Sequence, residues 1–182
     1  MARLSAPRRE DLPSEQQAVY DAIVRSRGQI SGPFTVLLHS PVVAGRVADV
    51  GAYIRFESTL PVAVRCLAAL LAARALDCRY VWAAWVPQAQ RAGIGDPIIA
   101  AIRDRQSPTG LTDEQALVVD AGQQLLRGNH QLSDATYRAL LAHFGTQGTV
   151  DLIATFGYFA MLSMPLNAFQ VDPSPGGRVL PI

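Results

Sequence analysis

The sequence has no lysine: all sixteen basic residues among its 182 are arginine. That absence excludes Schiff-base catalysis by a lysine amine, a P-loop lysine on phosphates and a lysine general base. Charge is scarce too, at 17 % of residues, and it nearly cancels to +1. Neither a nucleic acid nor an anionic membrane is therefore expected as the main partner. Cysteine is limited to Cys66 and Cys78, which suits a reducing compartment rather than a disulfide scaffold. The opening stretch, MARLSAPRREDLPSEQQ, is basic but has no apolar core of a secretory leader, so a cytoplasmic location is expected. His39, His130 and His143 fall in three separate segments with no cysteine or carboxylate at ligand spacing, which predicts no metal site. No segment alternates apolar and polar residues convincingly, and no strand is predicted.

What the chain has in excess is apolar sequence, 49 % of residues. At this length one domain buries a core without disulfides or metals, and the surplus points to an oligomer interface. The periodicity is helical nearly throughout. A first helix is predicted over PSEQQAVYDAIVRSRG, with Ser14 as N-cap and Gly28 as stop. GPFTVLLHSP reads as a short apolar helical turn between Pro33 and Pro41, and 41–57 as a helix burying Val43, Val47, Val50 and Ile54. Pro61 is placed at N1 of a helix over 61–76 that is apolar all round and hence central. Asp77 is predicted to cap a further helix that runs to Gly93, and a short helix follows from Pro97. Thr112 and Ser133 are N-caps of two more helices, the second striped by Tyr137, Leu140, Leu141 and Phe144. The last helix covers about 147–169. Its run from Leu152 to Phe169 has the length of a membrane span, but Pro165, Asn167 and the lack of flanking anchors favour a buried helix.

The segment DCRYVWAAW, residues 77–85, carries the most chemistry. Helical spacing puts Cys78, Val81, Trp82 and Trp85 on one face. A thiol in a first helical turn beside Arg79 is expected to have a lowered pKa, opposed by Asp77 and by the general tendency of isolated cysteines to be small buried hydrophobes. Cys66 lies on the preceding helix and approaches Cys78 if the two helices form a hairpin. His39 follows an apolar run and is a candidate general base. Arg46, Arg55, Arg65 and Arg79 lie on the apolar helices. Arg46 is expected to pair with Asp49, whereas Arg65 and Arg79, with no local acid, are natural anchors for a carboxylate or partners in inter-helix ion pairs.

Three stretches together resemble the carboxymuconolactone decarboxylase family, which includes the alkylhydroperoxidase D-like proteins. They are GPFTVLLHSPVVAGRVADVGAYIRFESTLP, AALLAARALDCRYVWAAWVPQAQRAGI and VDLIATFGYFAMLSMPLNAFQVDPSPG. The resemblance covers roughly 32–176 and leans to the decarboxylase-like branch. It implies a single-domain, all-α alkylhydroperoxidase D-like fold assembled as a trimer or hexamer, with no cofactor. The organisation it implies is an N-terminal helix and lead-in over 1–31, the helical domain over 32–170 and an extended tail over 171–182. Cys78 matches the first cysteine of the peroxidase-like Cys-x-x-Cys-x-x-x-His pattern. Val81 stands where the second belongs, Trp85 replaces the histidine and Cys66 replaces the relay glutamate. The acids usual at positions 79 and 81 in the decarboxylase-like branch are absent as well.

The expected function is cofactor-free chemistry on a small carboxylated lactone or organic acid. Cys78, His39 and Cys66 are its candidate catalytic residues, and Arg65, Arg79, Tyr80, Trp82 and Trp85 its candidate substrate contacts. The alternatives are a non-catalytic ligand-binding or assembly paralogue, and a thiol peroxidase using Cys78.

Overall fold

The computed structural model describes residues 2–173, 176, 180 and 181, and among them it is all-α, with no strand. Contacts divide the chain into two compact units. The first comprises the chain up to Ser58 together with Met164–Asp172; the second comprises Thr59–Ser163 and the residues from Pro173 on.

In the first unit, short 3-10 turns at Arg9–Asp11 and Ser14–Gln16 lead into helix α1 (Gln17–Arg27). Ser14 does not cap α1. It starts the 3-10 turn, its hydroxyl faces Glu15, and the α-helix begins three residues later. Gly28 does stop α1, at φ +82°, where a side chain would strain the backbone. The apolar turn is α2 (Phe34–Leu37), and α3 follows over Pro41–Ala52. Arg27 ties the three together: its guanidinium lies 4.6 Å over the Phe34 ring and donates to the Ala48 carbonyl at 3.2 Å.

Of the predicted stripe Val47 and Ile54 are buried as expected, but the rest of the buried face of α3 differs. Val43 and Val50 are exposed, whereas Ala44, Val47, Ala48 and Gly51 are buried. Small residues win this face because α1 packs close: a Cβ on Gly45 would sit 3.3 Å from Val19. Arg46 and Asp49 are both exposed and form no ion pair with each other. A π-helical turn, Tyr53–Glu57, ends this stretch with the Ser58 N–H donating to the Tyr53 carbonyl.

In the second unit, α4 (Val62–Ala75) packs against α5 (Arg79–Arg91), α6 (Asp96–Arg103) and α7 (Asp113–Leu126). Its central place follows from its composition. Val64, Cys66–Leu70, Ala72 and Ala73 are all buried, so no single stripe faces inward. Pro61 is the N-cap rather than the first helical residue. Gly122 on α7 permits the closest approach, because a Cβ there would meet Leu71 at 2.9 Å and Phe156 at 3.1 Å. Thr112 caps α7 as predicted, in a reciprocal capping box with Gln115.

Helix α8 (Asp134–Ala168) begins at the Ser133 cap, whose Oγ accepts from the Thr136 N–H, and kinks at Gly145 (φ +68°). The predicted pair of helices at 134–144 and 147–169 is thus found, the two meeting at the non-helical Gly145 and sharing one label. Of the predicted stripe on its first half, Leu140 is fully buried but Tyr137 is largely exposed. α8 is long and apolar enough to cross a membrane, yet 56 % of its most apolar window is buried inside the fold. Thr149, Thr155 and Ser163 each donate a hydroxyl to the carbonyl one turn back, which removes the cost of burying them. The last described residues depart from the expected surface tail: Leu180 is fully buried and the Pro181 carbonyl accepts from Arg74. Most of 174–179 lies outside the described residues.

Candidate active site around Cys78

The turn between α4 and α5 sets the site. The Cys78 N–H donates to the Ala73 carbonyl at 2.7 Å and the Asp77 N–H to Arg74 at 3.4 Å, a Schellman closure of α4 with Asp77 at φ +51°. Glycine is the usual residue at such a left-handed position; aspartate tolerates it. Asp77 therefore ends α4 and does not cap α5. Its carboxylate is turned to Arg74 and Arg105. The N-cap of α5 is Cys78 itself.

Cys78 is fully buried. Its sulfur faces the backbone N–H groups of Tyr80 and Val81 and the Ser163 hydroxyl, without closing a short cap hydrogen bond. Burial nonetheless dominates and pushes the thiol pKa up. Of the two opposed tendencies read from the sequence, the buried small hydrophobe prevails over the activated thiol: amide and hydroxyl effects are present, but desolvation outweighs them. Ser163, also fully buried, donates its single proton to the Phe159 carbonyl at 2.8 Å. Its lone pairs are thus left to receive the Cys78 S–H.

The surrounding side chains are apolar. Trp82 and Val81 are buried, and half-buried Trp85 meets the Phe159 ring edge-on at 4.7 Å and 77°. Phe159 also contacts Tyr158 edge-on. Cys66 is a second free, fully buried thiol on α4, and burial raises its pKa while Arg65 and Arg91 oppose the rise. Arg65 and Tyr80 are half-buried; Arg79, the first residue of α5, is exposed.

His39 belongs to the first unit, where its Nε2 lies 2.9 Å from the Ser5 carbonyl and fastens the N-terminal segment. His130 hydrogen-bonds the Leu125 carbonyl beyond the end of α7, and His143 pairs with Glu114. Among the described residues no three His, Cys, Asp or Glu side chains cluster as a metal site. Sequence reasoning missed Ser163, the hydroxyl against Cys78. A serine 85 positions away in an apolar helix gives no local signal.

Two solved structures share this arrangement of helices. One is an alkylhydroperoxidase AhpD core described as an uncharacterized peroxidase-related protein from Ralstonia eutropha JMP134, with TM-score 0.77 and 16 % identity over 96 % of this chain and 93 % of that one. The other is an uncharacterized peroxidase-related protein from Silicibacter sp. TM1040, with TM-score 0.75 and 18 % identity over 96 % and 92 %. The fold is alkylhydroperoxidase D-like. No protein-family model matches the sequence, and no curated protein does.

Proposed function

We propose that the protein is a cofactor-free, non-redox enzyme of the decarboxylase-like branch, acting on a small carboxylated lactone or related organic acid. The observation that carries this reading is the state of Cys78. A fully buried thiol with a raised pKa is a poor attacking thiolate but stays protonated at neutral pH, as a proton donor must.

Decarboxylation then runs with the following balance. The carbon–carbon bond to the carboxylate breaks, and its electron pair moves into the conjugated lactone carbonyl as carbon dioxide leaves. Cys78 delivers its S–H proton to the resulting carbanionic carbon. The thiolate so formed is stabilised by the Tyr80 and Val81 N–H groups and by rotation of the Ser163 hydroxyl, until solvent returns a proton. Arg79 or Arg65 holds the second carboxylate of the substrate, Tyr80 borders it, and Trp82 and Trp85 exclude water. Displacement of the partly exposed Trp85 admits the substrate. Val150, Ile153 and Met161 leave an apolar stripe of α8 uncovered, which fits the expected homo-oligomer.

A panel of muconolactone-type acids, assayed for carbon dioxide release, tests this reading. Turnover should fall about 100-fold or more in Cys78→Ala. Absence of both turnover and binding across the panel would refute it. The second reading is a non-catalytic binding or assembly paralogue, favoured by Val81 and Trp85 at the positions of the lost relay. Binding without turnover selects it. Peroxide consumption dependent on Cys78 selects the peroxidase alternative instead.

A further inference from the structure

Beside the α4–α5 turn, on the second unit, a crevice gathers three arginines. Arg74, Arg105 and Arg127 line it together with apolar Leu71, Ile102 and Leu126. Asp77 is the carboxylate within this group: it takes one hydrogen bond from Arg74 and, through both oxygens, Arg105 at 2.8 and 2.9 Å. Nearby Asp104 is occupied by a bidentate pair with Arg103. Among the described residues, three guanidiniums stand against one carboxylate, an excess of +2.

Two further observations concern the donors left over among the described residues. Arg74 is buried, and its Nε has no hydrogen-bond partner among the described residues. Buried guanidinium donors are rarely left so. The Arg127 guanidinium makes no hydrogen bond or ion pair among the described residues; burial first, then the charges of Arg105 and Arg74, disfavour its charged form, and Asp77 favours it. Backbone strain points the same way. Asp77 ends α4 at φ +51° and Arg105 follows α6 at φ +59°, the Arg105 N–H donating to Ile102 and the Gln106 N–H to Ala101. Both are positions where glycine is cheaper by about 1 kcal/mol. At both positions the side chain instead enters one ion pair, Asp77 with Arg105.

We propose that this crevice is a binding site for a phosphate dianion, free or as the head of a small organic phosphate monoester. A charge of about −2 at neutral pH matches the crevice's excess. The crevice opens to solvent, and its empty volume, mouth included, is about 360 Å³. Apolar Leu71, Ile102 and Leu126 supply contact for the organic part of an ester. Arg105 and Arg127 offer free N–H groups, and Asp77 holds Arg74 and Arg105 in place.

The test uses the full chain and inorganic phosphate, titrated at constant ionic strength against chloride, with affinity read by calorimetry and by the shift in Tm. Phosphate is expected to raise Tm where matched chloride does not. Arg127→Gln, which breaks no pair in the fold, should weaken phosphate about tenfold or more while leaving the ligand-free Tm unchanged. Arg105→Gly relieves the left-handed backbone and so retains the fold while weakening phosphate. Phenyl phosphate binding tighter than inorganic phosphate assigns the site to an ester, and equal affinity assigns it to free phosphate; both support the proposal. No stabilisation beyond chloride, or undiminished affinity in Arg127→Gln, overturns it.

Discussion

Asp77 and Cys78 are consecutive, yet their side chains lie in opposite media. Cys78 is fully buried with the Ser163 hydroxyl beside it, and burial pushes its thiol pKa up. Asp77 is 38 % exposed and ionically paired with two arginines. The Schellman turn separates them: a left-handed residue reverses the chain, so one side chain leaves the core as the next enters it. Residue type alone does not decide which of two neighbours becomes the chemical group. The turn does, by choosing the dielectric.

Breaking the dry side should cost most. Trp82→Ala removes a fully buried ring beside Cys78, and a loss of about 3–5 kcal/mol is expected from urea unfolding. A loss below about 1 kcal/mol would mean that this side is loosely packed and that the contrast is false. The charged side should yield less. Asp77→Ala deprives Arg74 of its carboxylate and leaves a Cβ in the left-handed region, at about 2 kcal/mol. Part of this is screened, because the carboxylate is more than a third exposed. Asp77→Gly loses the same pairs but relieves the backbone, so it should be about 1 kcal/mol milder. Equal losses in the two variants would show that the left-handed backbone carries no strain.

The helices were legible where local chemistry decides them: Gly28 stops α1, and Thr112 and Ser133 cap as their sequence context predicts. Residues 77–78 were misread because Asp77 satisfies the N-cap preference on paper. Its carboxylate is claimed instead by Arg105, 28 residues on, a partner no local rule sees. The face of α3 was misread for a similar reason. Valines at 43 and 50 look like core, but close packing of α1 selects alanine and glycine. The candidate segment around Cys78 was singled out by the family resemblance and the helical spacing. Its electrostatics were not legible, because sequence shows a helix dipole but not the burial that outweighs it.

The smallest expected effect is the pH dependence of the thiols, and it tests the dry side without altering its shape. Burial raises the pKa of Cys78 and of Cys66 in the folded chain. Above the ordinary thiol range, near about 8.5, the unfolded chain releases these protons while the folded chain keeps them. The folded state then binds more protons than the unfolded one, so stability must fall as pH rises. Below that range both states are protonated and the contribution is fully present. Each thiol adds a slope of at most about 1.4 kcal/mol per pH unit, so stability declines as pH rises through and beyond the ordinary thiol range. Urea unfolding at successive pH values should show this decline in the parent chain, less of it in Cys78→Ala, and almost none when Cys66→Ala is added. A decline unchanged by both substitutions would place the titrating groups elsewhere. A rise in stability with pH would mean that Cys78 is a stabilised thiolate, which reverses its proposed role as a proton donor.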